Sequence, residues 1–226
     1  MTRSAGAGPR WVDVGPDRLD GFLQRFAARH GPVHVAVTPE VVTVRGADGS
    51  VASCEVPFPP LHAEADDDYG GFVAHARTER RVGVLLVRRG GYAVGVFVGS
   101  RLVGSKVGSR HVQGRTAAGG WSQQRFARRR EQQARAAWEA AADTAVAVLV
   151  PALPTLDAVV TGGDRGACDA VLGDPRLRPL HPLLVARRLD VPEPRLRVLS
   201  ATPAAFRAVR VQVVDTTTGA NAAVGS

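Results

Sequence analysis

The sequence predicts an α+β protein: a mixed β-sheet with packed helices, preceded by a small N-terminal α/β module. Three observations carry this expectation. Three β-branched, apolar segments between residues 82 and 112 are separated by gaps of hairpin size. Directly after them, apolar residues recur at helical spacing from about residue 122 to 148. Ahead of both, one amphipathic segment and several short alternating runs stop at a proline- and acid-rich stretch near residues 57–71.

Taken in order, the first element is an amphipathic helix over 17–30, where Leu19, Phe22, Leu23 and Phe26 share one face. Strands follow over 33–37, 41–44 and 51–56, with Ala47-Asp48-Gly49 supplying a turn. Pro57, Pro59 and Pro60 end this block, and the acidic stretch 64–71 reads as a linker. The small module is therefore placed at residues 1–70. An antiparallel meander comes next, with strands over 82–87, 92–98 and 102–112 interrupted by Arg89-Gly90-Gly91 and Gly99-Ser100. The long helix carries Phe126, Ala134, Ala137, Trp138, Ala141 and Ala145 at helical spacing. Beyond Pro151, a strand over 156–160, a helix over 166–172, a strand near 183–186 and a final strand over 208–214 complete the mixed sheet. These elements form a second domain, residues 71–218, and residues 219–226 form a disordered tail.

Composition narrows the function. A chain of 226 residues that is 45% hydrophobic can bury a core, and bulk disorder is not expected. The longest apolar runs, 82–87 and 145–150, are too short to span a bilayer, and the first eleven residues lack the apolar core of a secretory signal. A cytoplasmic protein without membrane association is expected. Cys54 and Cys168 make no Cys-x-x-Cys pair, and the six histidines (His30, His34, His62, His75, His111, His181) have no His-x-x-x-His spacing. Neither a disulfide framework nor a metal site nor a cofactor is expected. Asp66-Asp67-Asp68 beside Gly70-Gly71 reads as solvated linker, and His62 and His75 as linker or surface residues. Cys54, inside a strand, reads as a packed small hydrophobe.

The charge has an address. Of 29 basic residues 28 are arginine, and Lys106 is the only lysine. Residues 101–135 hold nine basic residues and one acid, Glu131, so this stretch carries the whole net charge of +8. The other 191 residues balance at 20 basic and 20 acidic. Charge added for solubility alone needs no such address, whereas a polyanion-binding surface does.

Ser122 is a good N-cap for the long helix. Arg125 then falls in the first turn and Arg128, Arg129 and Arg130 in the second, near the positive end of the helix dipole. Each misplaced charge there costs roughly 0.3–1 kcal/mol, and the like-charge pair Arg125/Arg129 costs about 0.2–0.5 kcal/mol more. One reading is a solvated face in an arginine-preferring protein. The better one is an RNA partner, because arginine forks onto phosphate and stacks on bases. Just before the helix, Gly114, Gly119 and Gly120 flank Ala117-Ala118, leaving little side-chain bulk. Glycine content alone describes any strand-to-helix loop; here it is joined to Gln123-Gln124 and an arginine-rich helix.

The stretch from Arg88 through Ala145, RRGGYAVGVFVGSRLVGSKVGSRHVQGRTAAGGWSQQRFARRREQQARAAWEAAADTA, resembles the catalytic middle domain of eukaryotic and archaeal class I release factors. More closely it resembles the actinobacterial branch of the Vms-like release factor family, ribosome-associated peptidyl-tRNA hydrolases, over roughly residues 80–215. Class I factors carry adjacent Gly-Gly-Gln, and the Vms-like branch Gly-x-x-Gln, matched here by Gly120-Trp121-Ser122-Gln123. The resemblance implies a ribonuclease H-like fold for the second domain. It implies catalysis by Gln123 with Gly119 and Gly120, and Gln124 is the rival catalytic amide. Arg110, Arg115, Arg125, Arg128, Arg129, Arg130 and Arg135 would bind RNA.

The implied reaction is codon-independent hydrolysis of the peptidyl-tRNA ester on stalled large-subunit complexes. The partners would be ribosomal RNA of the large subunit and peptidyl-tRNA, with a monomer off the ribosome. At this length there is no obvious decoding motif, which argues against a stop-codon factor. Two alternatives stay open: a tRNA 3′-end (CCA) endonuclease acting on the same complexes, and a non-catalytic ribosome-binding rescue module. A serine hydrolase fits poorly, since no Gly-x-Ser-x-Gly occurs and Ser105 and Ser109 belong to a Val-Gly-Ser repeat.

Overall fold

A computed structural model describes residues 8–62, 69–88, 91–109 and 122–216, the segment 122–131 through its backbone only. The chain divides into two compact units, residues 1–78 with 207–226, and residues 79–206.

The first unit is built on an antiparallel sheet ordered β1-β9-β4-β3-β2. Its strands are β1 (Arg10–Val14), β2 (Val33–Val37), β3 (Val41–Gly46), β4 (Val51–Glu55) and β9 (Val209–Val214). Alternation fixes the inner face: Val42, Val44, Ala52, Cys54, Val209, Val211 and Val213 point into one core, as every second residue of a pleated strand must. Helix α1 (Pro16–His30) closes that core with Leu19, Leu23 and Phe26, and α2 (Gly70–Arg77) adds Phe72, Val73 and Ala76. Burial pushes the Cys54 thiol up to about 12, in keeping with its reading as a small core hydrophobe.

Three features here differ from the sequence expectation. β1 was not anticipated. The start of α2 lies in what reads as linker, and His75 within it bonds the Pro57 carbonyl through Nε2 at 2.9 Å. The final strand, expected to join the sheet of the second domain, instead lies between β1 and β4. The first unit therefore takes back the end of the chain, and the division expected at residues 70 and 218 falls at 78 and 206.

The second unit carries a mixed sheet ordered β7-β6-β5-β8. The meander β5 (Arg81–Arg88), β6 (Gly91–Val98) and β7 (Arg101–Ser109) is antiparallel, and β8 (Ala158–Gly163) runs parallel to β5. β5 has neighbours on both edges and is buried along almost its whole length, which explains its unbroken apolar sequence. The 28-residue α3 (Ser122–Leu149) sets Ala141, Ala145 and Leu149 into a core with Leu85, Val87, Val94 and Val96. α4 (Arg165–Leu172) and a 3-10 segment (Pro175–Leu183) join the same core through Cys168, Val171, Leu177 and Leu180. The short helices α5 (Leu196–Ala201) and α6 (Pro203–Phe206) complete the unit, and Phe206 meets Phe97 edge-on at 5.6 Å. The strand expected near 183–186 is not continuous. That segment runs beside β8 through isolated parallel bridges at Leu184 and Leu189, because the proline-bearing 3-10 segment occupies the chain up to Leu183.

Candidate functional site

The candidate site is the end of β7, the connection that follows, and the start of α3. β7 is the last strand of its sheet and is exposed at all but two positions, Leu102 and Gly108. Cross-strand partners share a face. Gly104, Lys106 and Gly108 pair with Val96, Val94 and Tyr92, so they lie on the face that carries α3. Arg101 pairs with Val98 and returns to that face through a bulge at Val103.

Tyr92 lays its ring across Gly108. A Cβ at residue 108 would stand 2.8 Å from Tyr92 Cε2 and closer still to Cζ and Oη, so only glycine leaves the ring in place. Tyr92 in turn packs against the core beneath α3. The strand's exit toward the connection is thus tied to the core that anchors the helix.

Gly119, Gly120, Arg110 and Arg115 lie in the connection 110–121, outside the described residues. The helix opens at Ser122, within a residue of the position expected from Ser122 as cap. Gln123, Gln124 and Arg125 therefore stand in its first turn and Arg128, Arg129 and Arg130 in its second. The Cα positions of Gln123 and Gln124 are about 100° apart around the axis. No carboxylate stands in the first turn. The first backbone N–H groups of any helix lack intrahelical partners and carry partial positive charge, the usual setting for an anion.

Burial shows where α3 is held. Among the described residues of α3 the buried ones begin at Ala137 and continue through Ala141, Ala142, Ala145 and Leu149, while 132–136 contains none. At 1.5 Å per residue, Gln123 lies about 21 Å along the axis from Ala137. Arg125, Arg128, Arg129 and Arg130 precede these buried positions along the helix.

Arg135 is exposed and lines a cleft of about 270 Å³ with Trp138, Glu139, Ala142, Ala170, Gly173 and Asp174. The Asp174 carboxylate is gripped by Arg176 through Nε at 3.0 Å and Nη2 at 2.7 Å, and accepts its backbone N–H. These bonds hold its pKa at about 2. Arg176 Nη2 also reaches Asp143 Oδ1 at 2.8 Å, joining α3 to the 3-10 segment.

Chemistry of other kinds finds little support among the described residues. No group of three His, Cys, Asp or Glu side chains is placed to hold a metal, and no helix is long and apolar enough to cross a membrane. Burial raises the Cys168 thiol, whose Sγ donates to the Gly162 carbonyl at 3.3 Å. One cluster escaped the sequence reading, in which the histidines are merely scattered. His30, 7% exposed, bonds Asp48 Oδ2 through Nδ1 at 2.8 Å and has Asp215 Oδ1 3.5 Å from Nε2. It ties the end of α1 to the β3–β4 turn and to the residue after β9. The Asp48-Gly49 turn was its only local signal.

An antiparallel meander joined to a long helix with a basic first half makes the second unit an α+β domain. The family model described as Actinobacteria/chloroflexi VLRF1 release factor matches residues 80–212, and the chain belongs to that family. It is thereby a release-factor-type protein of translation. Among solved structures it is similar to one titled only an archaeal protein, at 17% identity and a TM-score of 0.38, over 72% of this chain and 50% of that one. It is also similar to the archaeal translation termination factor aRF1, at 13% identity and a TM-score of 0.39, over 90% of this chain and 67% of that one. The chain thus spans half the length of the first of these. No curated protein matches it.

Proposed function

We propose that the protein is a ribosome-associated peptidyl-tRNA hydrolase that releases nascent peptides from stalled large-subunit complexes without reading a codon. The observation that carries this reading is the position of Gln123 in the first turn of α3, immediately ahead of the arginine-bearing turns, in a chain of this release-factor family. Arg110, Arg115, Arg125, Arg128, Arg129, Arg130 and Arg135 grip ribosomal RNA or the acceptor end of tRNA. Gly119 and Gly120 let the backbone approach the ester.

A neutral amide is no base at pH 7, so Gln123 acts by position. Its side chain orients a water against the ester carbonyl, and its backbone N–H donates to the tetrahedral oxyanion. The water's proton passes to the departing ribose 3′-oxygen through the neighbouring 2′-hydroxyl or a water relay. The C–O bond to the ribose breaks, giving a free peptide acid and an intact tRNA.

The test incubates the protein with large subunits carrying peptidyl-tRNA labelled on the peptide and on the tRNA, and analyses both. Free peptide with an intact 3′-CCA end is expected; shortened tRNA would replace this reading by the endonuclease. Gln123→Ala should lose release and keep subunit binding. Release retained in Gln123→Ala but lost in Gln124→Ala would move the catalytic amide by one residue. Binding with no cleavage of either bond by the unaltered protein would leave only a rescue module.

A further inference from the structure

We propose that the outer strand β7 is itself an RNA-contacting surface, with Arg101 and Lys106 on phosphates and Gly104 as the gap through which the nucleic-acid backbone approaches. This rests on the reading above that the partner is the large ribosomal subunit, and adds a strand that lies outside the loop and helix of that reading.

The first support is charge. No Asp or Glu occurs in the sequence between Glu79 and Glu131. Arg101 and Lys106 are exposed, and among the described residues neither takes part in an ion pair. Both lie on the α3-bearing face, with Gly104 between them. Five residues of strand separate the two charges by roughly 16 Å, a span of several phosphates. The only lysine of a chain that otherwise uses arginine stands on this strand.

The second support is Gly104 itself. A glycine inside a strand weakens it, so its presence needs a reason. Elsewhere on this hairpin the fold supplies one. A Cβ at Gly95 would stand 3.0 Å from Leu102 and from Leu199, and one at Gly108 would strike Tyr92. At Gly104 nothing among the described residues lies within 4 Å of the Cβ position, and φ is not positive. The neighbouring bulge gives no reason either, because the bulge type that demands glycine places it at positive φ. Gly104 is small for something outside the fold. With positive charge on both sides and no carboxylate nearby in sequence, a phosphate backbone fits that space. An extended polypeptide pairing along the free strand edge would not need Arg101 and Lys106.

The test measures binding of the full chain to isolated large ribosomal subunits over a range of salt concentrations, with thermal unfolding of each variant alongside. Arg101→Gln with Lys106→Gln should reduce the log–log salt slope by roughly 1.4–1.8 units, the share of two phosphate contacts. The charge-matched pair Arg165→Gln with Arg178→Gln, both exposed elsewhere in the unit, should leave the slope alone. Gly104→Trp should weaken binding about tenfold or more without lowering the unfolding temperature, since nothing among the described residues lies within 4 Å of the Cβ position.

An unchanged slope in the Arg101/Lys106 variant overturns the proposal and leaves Lys106 as a guard against edge-to-edge pairing. Weakened binding by Gly104→Trp with that slope unchanged also overturns it, in favour of a polypeptide on the strand edge. In both cases release by the unaltered protein still stands. Absence of salt-dependent subunit binding by the unaltered protein overturns this proposal and the ribosomal partner together.

Discussion

The contact between Tyr92 and Gly108 allows a prediction whose sign reverses with background. Gly108→Ala places a methyl group inside the Tyr92 ring, 2.8 Å from Cε2 and nearer to two further atoms. The ring must leave a seat where it packs against the core of Leu85, Val94 and Leu149. Overpacking of this kind costs about 1–3 kcal/mol, while alanine in place of a strand glycine returns about 0.5–1 kcal/mol. The net expectation is a loss of up to about 2.5 kcal/mol. In a Tyr92→Ala background the obstacle is gone, and the same Gly108→Ala should stabilise by about 0.5–1 kcal/mol. The coupling in the double-mutant cycle is then roughly 1–3 kcal/mol. A urea titration followed through Trp138, which packs against the same core, measures it once Trp11 and Trp121 are replaced by phenylalanine. Costs that add to within about 0.5 kcal/mol would refute the argument, since independent sites add to that precision.

Three further outcomes are expected. Leu149→Ala removes a fully buried side chain at the anchored end of α3 and should cost about 2–5 kcal/mol in the same titration. Asp174, held at about 2 against an ordinary 3.8, contributes stability that is full above the ordinary value and is lost as pH falls through the folded one. Asp174→Asn should therefore abolish part of the acid-induced loss between about pH 4 and pH 2, seen as a flatter unfolding midpoint against pH. Replacing Arg128, Arg129 and Arg130 together by glutamine should shrink the log–log salt slope of subunit binding by roughly 2–3 units, read by co-sedimentation.

Local signals were legible where local physics decides. The 3.6-residue spacing of Leu19, Leu23 and Phe26 gave α1 to within one residue of its start, and the glycine-marked gaps after Arg88 and Val98 gave the meander. What the sequence did not reveal depends on distant partners. Arg10–Val14 is a strand because Val209–Val213, about two hundred residues later, pairs with it. Gly70 and Gly71, which read as the end of a linker, open the helix Gly70–Arg77 because Phe72 and Val73 are buried against α1 and its sheet. The segment after Leu183 has strand-like residues, but only Leu184 and Leu189 reach β8. At the candidate site, the charge of residues 101–135 and the glutamines at the helix start were plain in the sequence. The place of β7 at the edge of its sheet was not, because the strand order depends on β8, which pairs with β5 from about seventy residues further on.

The geometry of the second unit also separates a handle from a tip. Its first residue, Glu79, lies against Gly99, and its last, Phe206, against Phe97. The chain thus enters and leaves beside the β6–β7 turn. β7 then runs away from that turn for nine residues, so Ser109 and the approach to the candidate loop stand about 26 Å off, at the opposite pole. Spacers inserted at the two junctions should leave β7 and Ser109 undisturbed, since both lie within the second unit. The ends by which the unit joins the rest of the chain can therefore be altered, or can evolve, without touching the strand that leads to the candidate site.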